Sequence, residues 1–356
     1  MYRRFMLLLA LCLIAVPLAA CNTPGQIESQ PVNKQADSTV QEKSAVAEAT
    51  PELVVAEPAP AEGDFLLPAE GVRPISVMID NEGAKCLPQG GLDKAQIIYE
   101  LLVEGGETRL MPIFWGVDAE MIGPVRSARD YFLDYSMEHD AVFVHFGWSP
   151  QAKADLSKFK INNINGLYVG NDVIWELTKD KGNWQDSYTS MDKLTAYAKK
   201  MKYKVKTEAE FPFEYNKSDV SPAKGKAAEK ISLVYSALYS CEYEYDNAAA
   251  VYKRLRKGKP QLERVSGKQL EAKNIIIQYT PSNSIKGDKL GRQEMNTTGS
   301  GKGYFITGGN AIKIKWVKES RRAQTKYTDE AGKEILLNRG QTWIQVIPTT
   351  AKVVIK

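Results

Sequence analysis

Residues 75–81 read Ile75-Ser76-Val77-Met78-Ile79-Asp80-Asn81, a short apolar run that ends in two polar residues. Such a run is typical of a buried β-strand that is followed by a polar turn. Strands are also predicted at 109–115 and 141–146, because both stretches are rich in aromatic and branched residues. Residues 95–103 fit either a helix or a strand. The sequence therefore begins its folded part with strands.

Two helices are predicted between and after these strands. Ser127 is followed three residues later by Asp130, which can act as a variant capping box for a helix that runs to about Glu138. Residues 189–201 begin with polar capping residues and end in lysines, an arrangement that the helix dipole favours. Strands that alternate with helices indicate an α/β layered domain, and we assign it to residues 65–230.

The rest of the chain has the pattern of antiparallel strands. Residues 304–307 and 311–316 flank Gly308-Gly309-Asn310, a hairpin turn whose residues tolerate a positive φ. Ile312, Ile314 and Trp316 alternate with Lys313 and Lys315, as in a half-buried strand. Short runs with similar alternation of apolar and polar residues occur at 231–239, 249–255, 274–280 and 341–347. We therefore predict an α+β protein in which a mostly antiparallel β domain, residues 231–356, follows the α/β domain.

Charge supports this division, which we place in the Ser-, Pro-, Gly-, Ala- and Lys-rich stretch 217–230. Residues 65–230 have 21 basic and 24 acidic side chains, whereas residues 231–356 have 22 basic and 11 acidic ones. A nearly neutral chain therefore contains a strongly basic C-terminal domain.

The N-terminus has the features of a lipoprotein signal. Arg3 and Arg4 precede an apolar run, and Leu18-Ala19-Ala20-Cys21 closes it with the small residues that place a lipid-carrying cysteine at the mature N-terminus. The run is shorter than the roughly 20 apolar residues of a membrane-spanning helix. We therefore predict that residues 1–20 are removed and that lipid on Cys21 anchors the protein to the outer face of the cell membrane.

Residues 21–64 are predicted to form a disordered acidic linker. They have eight acidic residues, two lysines and no aromatic residue, so they cannot bury enough apolar surface to fold. A flexible chain of this length has a root-mean-square reach on the order of 35 Å. We expect it to hold the folded part away from the membrane.

The folded part contains Cys86 and Cys241. A secreted chain that depends on disulfides normally carries more cysteines, so two buried free thiols are the preferred interpretation. A bridge between the two cysteines remains the alternative.

Several separated motifs together resemble the YerB-like lipoproteins, a family of bacterial two-domain lipoproteins of unknown function. The motifs are Arg73-Pro-Ile-Ser-Val-Met-Ile-Asp-Asn81, Ile98-Tyr-Glu100, Val103-Glu-Gly-Gly106, Thr108-Arg109, Ile122-Gly-Pro-Val-Arg-Ser-Ala-Arg129, His145, Ser149-Pro-Gln-Ala152, Ala272-Lys-Asn-Ile-Ile-Ile-Gln278, Gly299-Ser-Gly-Lys302, Leu337 and Gly340-Gln-Thr-Trp-Ile-Gln345. The resemblance extends over nearly all of residues 73–348. It implies a lipid-anchored protein with two domains, and it implies no catalytic residue.

Polar residues of the first domain are candidates for a ligand site. Asp80 and Asn81 end a predicted strand, and ligands of open α/β sheets collect at the carboxyl ends of strands. Arg126 and Arg129, three residues apart at the start of a predicted helix, offer forked donors to a phosphate or a carboxylate. The candidate ligand-binding residues are Arg109, Arg126, Arg129, Asn81 and Glu104. The competing interpretation, which we prefer, is a structural network in which the arginines pair with Glu100, Glu104 or Asp130.

His145 and Asp80 are the candidates for a catalytic base. His145 follows an apolar strand, where it either faces a cleft or caps the strand through a backbone hydrogen bond. The spacing of His139, Asp140 and His145 matches no metal signature, so we predict no metal and no cofactor. Gly299-Ser300-Gly301-Lys302-Gly303 lacks the spacing of a phosphate-binding loop, and we interpret it as an ordinary loop.

The basic domain is the remaining functional feature. Its candidate polyanion-binding residues are Lys253, Arg254, Arg256, Lys313 and Lys315. The 22 basic side chains of residues 231–356 outnumber the 11 acidic ones, and a positive excess of this size attracts anions. The predicted partners are the membrane, through the lipid anchor, and an anionic cell-wall polymer or an envelope protein. Nucleic acid is disfavoured by the compartment.

Two functions remain open on the sequence. The preferred one is a non-enzymatic, lipid-anchored binding or scaffold protein of the cell envelope. The alternative is an envelope hydrolase or transferase that acts on a phosphate-containing substrate, with Arg126 and Arg129 holding the anion and His145 or Asp80 as the base.

Overall fold

The stretch 75–81 forms two short strands in the computed structural model of the protein, which describes residues 65–180 and 182–356. Strand β1 (Ile75–Val77) pairs in parallel with the strand that begins at Val142, and β2 (Ile79–Asn81) pairs with residues 108–110. Both strands are fully buried, as the apolar run predicts. The predicted signal, linker and lipidation site at Cys21 lie outside the described residues.

The described part of the chain is mostly β-strand, with three α-helices. The helices are α1 (Asp130–Met137), α2 (Pro150–Lys158) and α3 (Met191–Lys200). The further strands before residue 230 are β3 (Ile97–Leu102), β4 (Thr108–Phe114), β5 (Val142–His145), β6 (Asn163–Asn165), β7 (Trp175–Glu176), β8 (Ser187–Tyr188), β9 (Glu214–Tyr215) and β10 (Lys226–Ala227). Strand β11 (Lys230–Val234) begins at the end of the first half and continues into the second. The first half therefore has fewer and shorter helices than an alternating α/β pattern implies.

The second half consists of strands. They are β12 (Ser240–Asp246), β13 (Val251–Arg256), β14 (Lys259–Pro260), β15 (Glu271–Ala272), β16 (Asn274–Thr280), β17 (Ser282–Ser284), β18 (Gln293–Met295), β19 (Gly299–Thr307), β20 (Asn310–Lys318), β21 (Lys326–Asp329), β22 (Leu336–Leu337), β23 (Thr342–Pro348) and β24 (Lys352–Ile355). Most of the paired strands are antiparallel, but β23 runs parallel to both of its neighbours, β16 and β3.

One large sheet contains strands from both halves of the chain. Its order is β10-β20-β19-β16-β23-β3-β4-β1-β5-β6, with β2 paired to β4 and β21 paired to β20. The two halves meet where β23 pairs in parallel with β3, from Thr342 opposite Ile97 to Val346 opposite Leu101. The stretch 217–230 therefore separates two groups of strands along the chain, although both groups contribute to the same sheet. Its role as a domain boundary stays a prediction.

A second sheet covers one face of the large sheet, and helices cover part of the other. The second sheet has the order β14-β13-β12-β11-β24, with β15 paired to β13. Between the sheets lies a core to which Ile98 and Trp343 contribute from the large sheet and Tyr243 and Tyr252 from the second. On the opposite face, residues of α1 and α2 pack on the alternate positions of the same central strands. The layers are therefore the second sheet, the large sheet, and helices α1 and α2, whereas Leu194 of α3 belongs to the core on the side of the second sheet.

Several local predictions are confirmed, and one capping prediction is wrong. Helix α3 begins after Ser190, whose hydroxyl accepts a hydrogen bond from the backbone N–H of Lys193. Strands β19 and β20 form the predicted hairpin around Gly308 and Gly309, both with positive φ. Helix α1 instead begins after Arg129, which makes no side-chain capping bond, because Ser127 lies in an extended segment held to the sheet.

The glycine-rich stretch 299–303 was expected to be a loop, and this expectation is wrong. It forms the start of β19 and pairs with residues 314–318 of β20. A side chain at Gly301 would overlap the indole ring of Trp316, and one at Gly303 would overlap the carbonyl oxygen of Ile277. These glycines therefore allow neighbouring strands and a tryptophan to pack closely.

Cys86 and Cys241 are both buried and free, as preferred from the sequence. Burial raises the pKa of the Cys86 thiol to about 12. Burial also raises the pKa of Cys241, which lies between the two sheets with Sγ 3.4 Å from Oε1 of Gln345. Neither thiol has the thiolate character that a reactive cysteine requires.

Candidate functional site

The candidate arginines are positioned by an extended segment that crosses the ends of the strands. The backbone N–H of Arg126 donates to the carbonyl of Met78 at 2.8 Å, and the carbonyl of Arg126 accepts from Phe146 at 2.9 Å. The N–H of Ala128 donates to Gly147 at 3.0 Å. Because this segment is tied to the ends of β1 and β5, it brings Arg126 and Arg129 to the edge where the sequence predicted a site.

Arg109 and Arg129 converge on one carboxylate, that of Glu104. The guanidinium of Arg129 binds Glu104 at two points, and its Nε donates to Oε2 at 2.9 Å. Nη2 of Arg109 lies 3.7 Å from the same carboxylate, while its Nη1 donates to the carbonyl of Ser127 at 2.6 Å. The Nε of the buried Arg109 has no hydrogen-bond partner within the described part of the chain. The two arginines are thus largely occupied by Glu104 and backbone.

Arg126 and Asp80 form a second pair at the same edge. Nε of Arg126 lies 3.3 Å from Oδ2 of Asp80, which also accepts a hydrogen bond from Gln185 at 2.9 Å. The guanidinium carbon lies 3.9 Å from the ring centroid of Trp184, which is half exposed. Burial lowers the pKa of all three candidate arginines, Arg109, Arg126 and Arg129.

The arginine cluster therefore combines features of both sequence interpretations. Three guanidinium groups face the carboxylates of Asp80, Glu82 and Glu104, so the charges balance locally. Glu100 and Asp130 do not take part in these ion pairs. The arrangement fixes a segment to a sheet edge, and as a ligand site it stays a prediction.

Asn81 and Glu100 belong to a different cluster, which is buried between the two sheets. Oε2 of Glu100 accepts from Nη2 of Arg254 at 2.7 Å, and Oε1 accepts from the hydroxyls of Thr108 and Tyr239 at 2.7 and 2.5 Å. Nε of Arg254 also donates to Oε1 of Gln261 at 2.8 Å, and its guanidinium carbon lies 4.2 Å from the ring centroid of Trp343. Every heavy polar atom of this ion pair has a partner inside the protein.

Asn81 connects this cluster to a second buried arginine. Its Oδ1 accepts from Arg256 Nε at 3.0 Å and its Nδ2 donates to Tyr239 at 2.8 Å. Arg256 also reaches the backbone carbonyl of Asn81 at 2.6 Å. Asn81 thus joins β2 in the first half to β13 in the second, and its polar atoms are fully used.

Arg254 and Arg256 were predicted to contact a polyanion, and this prediction is wrong. Their residues are 0% and 6% exposed, because both point from β13 toward the large sheet. Tyr252, Arg254 and Arg256 are alternate residues of one strand and therefore share a face. This period of two, with Tyr252 on the same face, was the signal by which the sequence could have predicted their burial.

The remaining polyanion candidates lie on the surface. Lys253 points away from the core and pairs with Glu271. Lys313 and Lys315 are exposed on the outer face of β20, as the alternation predicted. Only the last two of the five candidates are thus exposed and without an ion pair within the described residues.

Lys313 and Lys315 belong to a larger set, the lysine face, which consists of Lys302, Lys313, Lys315 and Lys326. Lys302 on β19 lies directly opposite Lys315 on β20, and Val317, next to Lys315 on the same face, lies opposite Lys326 on β21. All four lysines are exposed. None forms a salt bridge in the part of the chain that the structure describes. Like charges directly opposite each other destabilise a sheet, so this arrangement costs folding stability.

His145 was a candidate base, and its surroundings do not fit that role. Its side chain is completely buried, and its ring nitrogens lie 2.7 Å from the carbonyl of Gly147 and 3.1 Å from Oδ1 of Asn163. Burial lowers the pKa of the imidazole. The alternative interpretation, a histidine that caps a strand end, describes this geometry.

His139 is also buried, beside a buried ion pair that the sequence did not predict. Its Nε2 lies 3.0 Å from the hydroxyl of Tyr99, which donates to Glu138 at 2.6 Å. Glu138 pairs with Lys318 at 2.6 Å, and both side chains are inaccessible. Burial lowers the pKa of His139 to about 4.

Acid is therefore expected to destabilise the protein through His139. The pKa is lower in the folded state than the usual 6.5 of the unfolded chain, so the unfolded state takes up the proton first as the pH falls. The stability that the neutral His139 side chain contributes is complete above pH 6.5 and is lost as the pH falls toward 4. At pH 5 the loss is about 2 kcal/mol, which urea unfolding at pH 7.5 and pH 5 would measure.

His139→Gln, which keeps a donor for Tyr99, should remove this loss. Asp134 has the opposite effect in part of the same range, since burial raises its pKa to about 6. The comparison is therefore made between the variant and the wild type at each pH. An unchanged difference between pH 7.5 and pH 5 in the variant would contradict the assignment.

Two further features of the described residues bear on function. Within 65–180 and 182–356, no helix is long and apolar enough to cross a membrane. In the same residues, no three or more His, Cys, Asp and Glu side chains come together as ligands of a metal ion.

The fold and these sites define a class of β-rich proteins in which two successive sequence segments build one large sheet, joined by buried ion pairs. Residues 67–204 match the family model described as "Protein of unknown function (DUF3048) N-terminal domain", and residues 231–344 match the corresponding C-terminal domain. The chain belongs to this DUF3048 family.

Relatives agree with this membership. The chain is 34% identical over 277 residues to the Bacillus subtilis (strain 168) protein named "Putative lipoprotein YerB", which covers 78% of this chain and 81% of the relative. It is also similar to the crystal structure of YerB from Bacillus subtilis, with a TM-score of 0.69, 31% identity, and coverage of 80% of this chain and 94% of that one. The YerB-like resemblance predicted from the motifs is thus confirmed.

Proposed function

We propose that this protein is a lipid-anchored binding protein on the outer face of the cell membrane, and that its lysine face contacts an anionic polymer of the envelope. The anchor is lipid on Cys21, where the sequence has the motif Leu18-Ala19-Ala20-Cys21. The naming of a relative as a lipoprotein supports this anchor. The acidic tract 22–64 serves as the spacer between the lipid and the folded part.

The lysine face is the observation that carries the proposal. Lys302 and Lys315 are directly opposite each other, a position where like charges repel at a Cβ separation of about 5 Å. Lys313 extends the row along β20, and Lys326 adds a charge from β21. A bound polyanion would neutralise these charges, so the lysine face would no longer destabilise the folded protein.

Burial of the other candidates supports binding rather than catalysis. Asp80 and His145, the predicted bases, are buried and engaged in hydrogen bonds, and a base must reach the proton that it removes. The arginine cluster is neutralised by its own carboxylates. This geometry therefore favours the binding protein over the hydrolase or transferase alternative.

Replacing all four lysines of the lysine face by glutamine is expected to weaken binding to purified anionic wall polymer by at least about tenfold, which corresponds to about 1.4 kcal/mol. The reason is the loss of four charges from one surface, whose attraction for a polyanion decreases with ionic strength. Co-sedimentation with the polymer at increasing salt measures both the affinity and its salt dependence.

A matched control removes the same number of charges elsewhere. Lys199, Lys202, Lys204 and Lys206 are exposed residues in and after α3, and their quadruple glutamine variant has the same net charge as the lysine-face variant. It should bind nearly as well as the wild type. Equal losses in both variants would mean that net charge and not this face attracts the polymer, and the proposed surface would be wrong.

A further inference from the structure

A groove separate from the lysine face lies between α3 and the loop that follows β6. Its volume is about 530 Å³, within the range of sites that hold small organic ligands. Tyr168 forms part of one wall, and Tyr197 and Lys200 of α3 form part of the other. Tyr168 is 72% exposed, so its ring is presented to solvent at the edge of the groove.

Charged residues of both signs line this groove in equal numbers. Asp172 and Asp192 supply carboxylates, while Lys193 and Lys200 supply ammonium groups. Lys193 is held in place because its Nζ donates to the backbone carbonyl of Asp172 at 2.7 Å. The groove therefore has no net charge, and it offers acceptors and donors side by side.

The aromatic surface continues beyond the groove. The ring of Tyr168 lies 5.7 Å from that of Trp148, and Nζ of Lys193 lies 5.6 Å from the ring of Trp175. Tyr and Trp rings combine an apolar face with a polar edge. Tyr168 is the exposed ring of this group, whereas Trp148 and Trp175 are half-buried.

We infer that this groove binds an uncharged saccharide chain. Sugar hydroxyls both donate and accept hydrogen bonds, which matches the mixed carboxylates and ammonium groups, and the C–H faces of sugar rings stack on exposed aromatic rings. A polyanion would gain no net attraction from a groove in which Asp172 and Asp192 offset the two lysines, and an apolar ligand would leave four charged groups desolvated. An uncharged polyhydroxylated ligand meets neither penalty.

This inference goes beyond the proposed polymer contact and is independent of it. The lysine face is on β19 to β21, whereas the groove is on α3 and the loop after β6. If the four-lysine variant bound the polymer as well as the wild type, the proposed lysine face would be wrong and the inference about the groove would still stand. Failure of saccharide binding would leave the lysine face untouched.

The test uses the processed chain from Cys21 and the folded part alone, residues 65–356, each titrated with N-acetylglucosamine tetrasaccharide and with maltotetraose. Binding is followed by calorimetry and by tryptophan fluorescence, since Trp148 and Trp175 lie close to the groove residues. A dissociation constant of about 1 mM or tighter for at least one tetrasaccharide is expected. Inorganic phosphate, titrated in parallel, should cause no matching change.

Two groove variants and one control decide the interpretation. Tyr168→Ala and Asp192→Asn change exposed side chains, so the fold should be retained, and each should weaken saccharide binding about tenfold. Leu290→Ala removes a side chain that is 68% exposed at another site and should bind like the wild type. The inference would be overturned by an absence of binding in the wild type, by equal binding in both groove variants, or by phosphate competing for the groove.

Discussion

Arg254→Met is expected to lower the free energy of unfolding by about 3–5 kcal/mol, because it leaves the carboxylate of Glu100 buried without its countercharge. Both side chains are fully inaccessible, and Nη2 of Arg254 lies 2.7 Å from Oε2 of Glu100. Burial alone would lower the pKa of Arg254, but the Glu100 carboxylate raises it well above its usual value. Urea unfolding at neutral pH measures the change.

The neighbouring residue supplies the control. Lys253 is on the opposite face of β13, its side chain is 32% exposed, and it pairs with Glu271. Lys253→Met should cost less than about 1 kcal/mol, because exposed ion pairs contribute little. Glu100→Gln in the Arg254→Met background should recover part of the loss, since it removes the unpaired charge. Equal costs for Arg254→Met and Lys253→Met would contradict the assignment.

Residues 65–230 expressed alone are expected not to fold cooperatively. Strand β3 is buried at all six positions, and one of its edges is paired to β23, which the fragment lacks. The fragment would also expose the core positions around Ile98 and leave Glu100 without Arg254. A native protein is stable by only about 5–15 kcal/mol, so the loss of the paired edge, of the covered core and of the buried ion pair is expected to prevent folding. Circular dichroism melting and amide NMR dispersion measure the outcome.

Residues 65–356 are the control for this truncation and should show a cooperative transition. Co-expression of 65–230 with 231–356 should restore a folded complex, because the parallel pairing of β3 with β23 needs no covalent link. A dispersed spectrum and cooperative melting of 65–230 by itself would show that the first half has a sufficient core of its own.

Local patterns explain which elements the sequence predicted. The alternation of Ile312, Ile314 and Trp316 with lysines fixes which face of β20 is buried, and Gly308 and Gly309 fix the turn. Ser190 defines the start of α3. By contrast, the first half was predicted to be an α/β layered domain, because the local sequence of β3 does not reveal that its paired residues in β23 lie 245 positions further along the chain.

The candidate site divides in the same way. The sequence predicted Asp80 at a strand end and Arg126 and Arg129 at the start of a helix, and the structure pairs Arg126 with Asp80 and brings Arg109 and Arg129 to Glu104. It did not predict that Arg254 and Arg256 are buried, since a basic residue in a strand is exposed or buried according to what covers that face.

By itself, the sequence determined the family, through several separated motifs. It also determined the short strands, their turns and the lysines at alternate positions of β20, because each of these depends on residues that are near one another in the chain. Only the tertiary structure decided that both halves share one sheet and that Glu100 is paired with Arg254 between two sheets. The physical reason is that backbone hydrogen bonds join any two exposed strand edges, so the choice of partner rests on burial and charge pairing between distant segments.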